Sequence, residues 1–161
     1  MRKTLWLFLT KLIVVTVAFG LLWFLWLKPV YPHLLRPLGD WLLPLFGARK
    51  WHLSWTLEHF ANIGPYLALV IATPGFARDW KRGTVALFGG LAILILFHYI
   101  MLISFYHIMA RWGLSEITYR WTTPIYILND SLPLIVWLAF YPGVLRELLD
   151  AARGRQSHSN Q

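Results

Sequence analysis

Residues 5–27 form an apolar run of 23 residues, preceded by Arg2 and Lys3. At ~1.5 Å per helical residue the run reaches roughly 34 Å, enough to cross a hydrocarbon core of about 30 Å. It ends in Trp23, Phe24, Leu25, Trp26 and Leu27, not in the small residues of a signal-peptide cleavage site. It reads as a retained transmembrane helix with an aromatic anchor at its far end.

Three further apolar runs follow, at about residues 60–76, 84–109 and 123–145. The second carries Asn62, Gly64, Pro65 and Pro74; the third holds the pair Gly89-Gly90, which permits close helix packing. The fourth contains Pro124, Asn129, Asp130, Pro133 and Pro142, so kinks are expected near Pro133 and Pro142. The chain is 58% hydrophobic and only 14% charged, against about 25% charged in soluble domains. That excludes a disordered chain, a coiled coil and an ordinary soluble enzyme domain. A net charge of +8 in a soluble protein points to nucleic acid. Here the basic residues lie between apolar runs, where they fix membrane orientation. The expected partners are the lipid bilayer and other membrane subunits, with no nucleic acid. Arg78, Lys81 and Arg82 crowd the connection between the second and third runs, which places both termini in the cytoplasm. The expected fold class is an all-α, multi-pass membrane protein. It has four transmembrane helices in a single domain over residues 1–155, followed by a disordered polar tail at 156–161.

The outer loops add two expectations. Leu34, Leu35, Leu38, Trp41, Leu42, Leu45 and Phe46 recur with helical spacing, while Arg36 and Asp40 fall off the stripe and Gly47 ends it. Residues 33–46 therefore read as an amphipathic helix in the outer interface. Beyond it the pattern changes to period two. Trp51, Leu53, Trp55 and Leu57 alternate with polar residues, as do Ile117, Tyr119 and Trp121. Residues 51–57 and 116–122 are expected to pair as a small two-stranded cap.

Ionisable residues inside apolar runs are candidates for function because burying one unpaired is costly. Lys11 sits close enough to the inner interface to reach it with its stem. Asp130 lies roughly 10 Å below the outer surface and is expected to face the bundle interior with His98 or Asn62 as its partner. Such a group is either a structural tie or a proton carrier. His98 and His107, nine residues apart, fall on nearly opposite faces of one helix. His59 and His107 share a depth, which makes His59, His98 and His107 the candidates for a haem or other cofactor. His52, Glu58 and His59 offer metal-ligand chemistry without a recognised spacing, so no metal site is assigned. The chain has no His-Glu-x-x-His, no Gly-x-Ser-x-Gly and no phosphate-binding glycine loop. No catalytic residue is assigned.

Pro29 follows the first span, and the 34–46 stretch comes next. Then come Asn62, Gly64, Pro65 and Tyr66, the run 67–73 with Pro74, and the Gly-Gly third span. This arrangement, over residues 5–110, resembles the small inner-membrane proteins associated with exosortases, bacterial membrane transpeptidases that process sorting signals. Exosortases are similar to sortases in using Cys, Arg and His. The chain has no cysteine, so no catalytic residue carries over, and a cysteine transpeptidase is excluded. The resemblance implies an accessory protein of the bacterial inner membrane. Two function classes stay open. One is a non-catalytic accessory or assembly subunit of a larger inner-membrane complex for protein sorting or processing. The other is a bioenergetic subunit touching haem, quinone or a proton path through its histidines and Asp130.

Overall fold

The structure, a computed structural model, describes residues 2–48, 59–76 and 78–153. Helix α1 (Arg2–Leu22) passes through a π-helical turn (Trp23–Leu27) into α2 (Lys28–Leu45). A 3-10 turn (His59–Asn62) leads into α3 (Ile63–Ala72), followed by α4 (Trp80–Trp112), α5 (Glu116–Phe140) and α6 (Val144–Arg153). No strand occurs among the described residues.

Among the described residues three helices are long and apolar enough to cross a membrane: Leu5–Leu45 at 41 residues, α4 at 33 and α5 at 25. This corrects the four expected spans. The second apolar run gives only the shorter helical segment Phe60–Ala72, which nonetheless returns the chain to the end where α1 starts: Thr73 at its close bonds Trp137, the ring on which Phe8 stacks. It ends because Thr73 precedes Pro74 and takes an extended ψ of 127°, the conformation a following proline imposes. Helix α3 is buried nearly all round, through Ile63, Gly64, Tyr66, Ala68, Val70 and Ala72. It forms the centre of the bundle and packs on α1, α4 and α5.

The separate interfacial helix is also corrected. Lys28 N–H donates to the Trp23 carbonyl five residues back, the π pattern, which carries the helix through without a break. Pro29 is the second residue of α2 and donates no N–H into the π-helical turn before it. The face of α2 turned inward is Tyr31, Leu35, Gly39 and Leu43, whereas Leu34, Leu38, Trp41, Leu45 and Phe46 are exposed. Lipid is as apolar as leucine, so apolarity does not select the packed side; small residues and hydrogen-bonding groups do.

The cap is overturned at its second strand. Residues 116–122 are the first turns of α5, and Ser115 accepts the Thr118 N–H at 3.4 Å as an N-cap. Residues 51–57, the other strand, lie outside the described residues, as does the tail 156–161.

Packing around α3 depends on glycine at two places. A Cβ on Gly90 would run into the ring and hydroxyl of Tyr66, and one on Gly64 would run into the Phe19 ring. Tyr66 lies against α4 and donates its hydroxyl to the Ala86 carbonyl. At one end of the bundle Phe8 stacks on Trp137 with centroids 6.3 Å apart, and α6 packs on α1. The start of α1 and the last helix therefore share that end.

Candidate functional site

A group of buried polar side chains meets where α2, α4, α5 and the 3-10 turn before α3 converge. His98 and Asn129 are fully buried, and Asn62 and Tyr31 nearly so. His98 lies roughly 21 Å along α4 from Thr84, well inside the apolar stretch. Asn62 ends the 3-10 turn before α3, Tyr31 sits one turn into α2, and Asn129 is on the inward face of α5.

Their hydrogen bonds have a determined direction. Asn62 Nδ2 lies 3.0 Å from the Asn129 carbonyl oxygen, a group that only accepts. This turns Asn62 Oδ1 toward His98 Nε2, 3.0 Å away, so Nε2 carries the proton. A fully buried imidazole without a counter-ion is neutral, so Nδ1 is bare and accepts the Tyr31 hydroxyl at 2.8 Å. Asn62 Nδ2 also reaches Asn129 Oδ1 at 2.9 Å, which turns Asn129 Nδ2 toward Asp130 Oδ1 at 3.3 Å. Donors thus run one way: Tyr31 to His98 to Asn62 to Asn129 to Asp130.

Aromatic rings close the site. Phe60 stacks on the His98 imidazole with centroids 4.2 Å apart, and Tyr31 meets His98 edge-on at 5.8 Å. Trp23, in the π-helical turn, packs on Tyr31 at 5.3 Å, with its buried indole N–H unpaired among the described residues.

The sequence candidates divide sharply. His98 and Asn62 come together as a bonded pair. Asp130 does not face the interior; it is exposed, and its neighbour Asn129 takes the inward position. The inward stripe of α5 is Thr118, Thr122, Asn129, Pro133, Val136 and Trp137. One residue further turns about 100° away, and a neutral amide costs less to bury than a carboxylate. His107 is on the exposed side and donates Nε2–H to the Phe46 carbonyl at 2.8 Å. That bond pins the end of α2, and Tyr99 holds its middle by donating to the Leu35 carbonyl at 2.8 Å. Of His59 only the backbone turn is described, and His52 and Glu58 lie outside the described residues. His98 has both nitrogens bonded, and His107 spends Nε2 on a carbonyl, so neither presents that nitrogen free to an iron. Among the described residues no three His, Asp or Glu side chains cluster as a metal site.

Sequence reasoning missed Tyr31 and Asn129. Tyr31 lies four residues before Leu35 on the packed side, and Asn129 is the polar residue on the stripe through Thr122 and Pro133; both signals were present.

At the bundle end that holds α6, a second set of ties forms. Trp137 Nε1–H donates to Thr73 Oγ1 at 2.8 Å, and Arg82 donates to the Phe140 carbonyl at 2.8 Å. Arg82 also lies over the Tyr141 ring, 5.1 Å from its centroid. Burial raises the Tyr141 phenol above its ordinary range; Arg82 opposes the rise and the Asp79 carboxylate adds to it. A cleft of 450 Å³ opens beside these ties, between α1 and the turn after α3.

Comparison with protein-family models, with curated proteins and with solved structures finds no match to this chain.

Proposed function

We propose that the chain is a non-catalytic integral membrane accessory or assembly subunit of a larger inner-membrane complex, with both termini on the cytoplasmic side. The observation that carries this reading is the closed state of its buried polar centre. His98 has no exposed surface, bonds at both nitrogens and lies under Phe60. A substrate finds neither a ring face nor a nitrogen there. The centre instead ties α2, α4, α5 and the 3-10 turn before α3 together at membrane depth, where each interhelical hydrogen bond contributes roughly 0.6 kcal/mol. The outside of the molecule fits the same role. The first long helix leaves Trp6, Leu7, Ile13, Val14, Val17 and Leu21 exposed, an apolar face offered to lipid or another subunit. A sorting or processing system is the parent complex suggested by the resemblance to exosortase-associated proteins.

The second reading, a bioenergetic subunit, draws on one observation: the relay runs in one direction and ends at exposed Asp130. Two of its links, Asn62 and Asn129, are amides, which hold their protons; a proton does not hop through them without tautomerisation. That favours the tie over the path. Purification from native membranes with an absorption spectrum separates the two readings. Stoichiometric recovery of a membrane partner without a chromophore is expected. A Soret band or bound quinone in the purified chain overturns the non-catalytic reading.

A further inference from the structure

We infer that the cleft between α1 and the turn after α3 binds the headgroup of an anionic glycerophospholipid, with Lys11 and Arg78 holding its phosphodiester. The cleft measures 450 Å³ and is lined by Leu7, Phe8, Ile71, Phe76 and the two cations, with no acidic residue among the described residues of its wall. Its position suits a lipid. It lies at the bundle end that carries Arg82 and α6, the end assigned to the cytoplasmic interface. Leu7 is 56% exposed and Ile71 36%, so the apolar part of the wall faces the acyl region. Lys11 is one helical turn further along α1 than Phe8, which puts its ammonium on a long stem reaching back toward the interface. Both cations are exposed, and among the described residues neither forms an ion pair with a carboxylate.

Charge complementarity selects the occupant. A zwitterionic lipid brings its own cation to a site that already holds two, whereas an acidic lipid brings only the anion. Basic pockets between membrane helices hold acidic headgroups on this principle. A soluble phosphate satisfies Lys11 and Arg78 but leaves Leu7 and Ile71 without their apolar partner. The inference requires the membrane spans but stands whether or not the chain is an assembly subunit.

The test uses the full chain in detergent micelles, with native mass spectrometry to count retained lipid. Phosphatidylglycerol and phosphatidylcholine are added in turn. Retention of phosphatidylglycerol over phosphatidylcholine is expected. Lys11→Gln and Arg78→Gln are each expected to lower phosphatidylglycerol retention by about fivefold, from roughly one interfacial charge removed. Lys3→Gln, exposed at the same end but outside the cleft, is the control and is expected to change retention by less than twofold. Lys11→Arg keeps the charge and is expected to bind as wild type, which separates loss of the site from loss of the fold. Equal retention of the two lipids overturns the inference, as does unchanged phosphatidylglycerol binding in the Lys11→Gln, Arg78→Gln double variant. Displacement of the lipid by inorganic phosphate at millimolar concentration also overturns it, since the site is then one for a soluble anion.

Discussion

His98 donates its Nε2 proton to the amide oxygen of Asn62 at 3.0 Å, and this bond fixes the tautomer of a fully buried imidazole. Because Asn62 is itself oriented by the Asn129 carbonyl, no rotation of either side chain preserves both contacts. Histidine-selective ¹⁵N NMR of the protein in nanodiscs is expected to show His98 with a protonated Nε2 and a bare Nδ1. The opposite tautomer would break the chain of donors from Tyr31 onward.

The contact between Tyr66 and Gly90 leaves no room for a methyl group. Gly90→Ala is expected to destabilise the helix packing by about 1–3 kcal/mol, the usual cost of overpacking, in denaturant titrations in mixed micelles. Gly90→Ala combined with Tyr66→Leu is expected to recover part of that loss. A Gly90→Ala protein as stable as wild type means that α3 and α4 do not approach this closely.

Asp130 and Asn129 exchange the roles the sequence suggests for them. Asp130→Asn is expected to leave stability within about 0.5 kcal/mol, as for an exposed position. Asn129→Leu, which removes the side-chain acceptor of Asn62, is expected to cost about 1 kcal/mol. The reverse order of effects would put the carboxylate, not the amide, in the bundle.

Orientation is checked by fusions. Reporters at Gly47 are expected to behave as exported and those at Asp79 or after Arg153 as cytoplasmic, because Arg78, Lys81 and Arg82 stay on the inner side. The inverse pattern would move the Lys11 cleft to the outer face.

Much of the helix content was legible from apolar runs alone: residues 5–27 lie within the first long helix, and residues 84–109 lie within α4. The histidine–asparagine pair was legible as a possibility because His98 and Asn62 are polar residues at membrane depth. What failed failed for physical reasons. The leucine stripe of α2 leaves Leu34, Leu38 and Leu45 exposed because lipid accepts leucine as readily as a core does, so the stripe continues the first span and does not mark a separate interfacial helix. Ile117, Tyr119 and Trp121 alternate, yet Ser115 and Glu116 are a helix start. With Trp121 stacked on Trp112 across the turn at 6.1 Å, the alternation reflects interfacial aromatics and not a strand. Helix α6 begins inside the expected fourth span, 123–145, and runs on beyond it. Pro142-Gly143 separates it, and Val144 and Leu148, buried one turn apart, give it an inner face. Asp130, the charged neighbour, drew the candidacy that burial gives to Asn129.

The claim that the buried centre is a structural tie is tested most directly by a double-mutant cycle on His98→Ala and Asn62→Ala, read as unfolding free energy in mixed micelles. A coupling of about 0.6–1.7 kcal/mol between the two positions is expected, the range for membrane interhelical hydrogen bonds. Zero coupling, with both variants as stable as wild type, would contradict it.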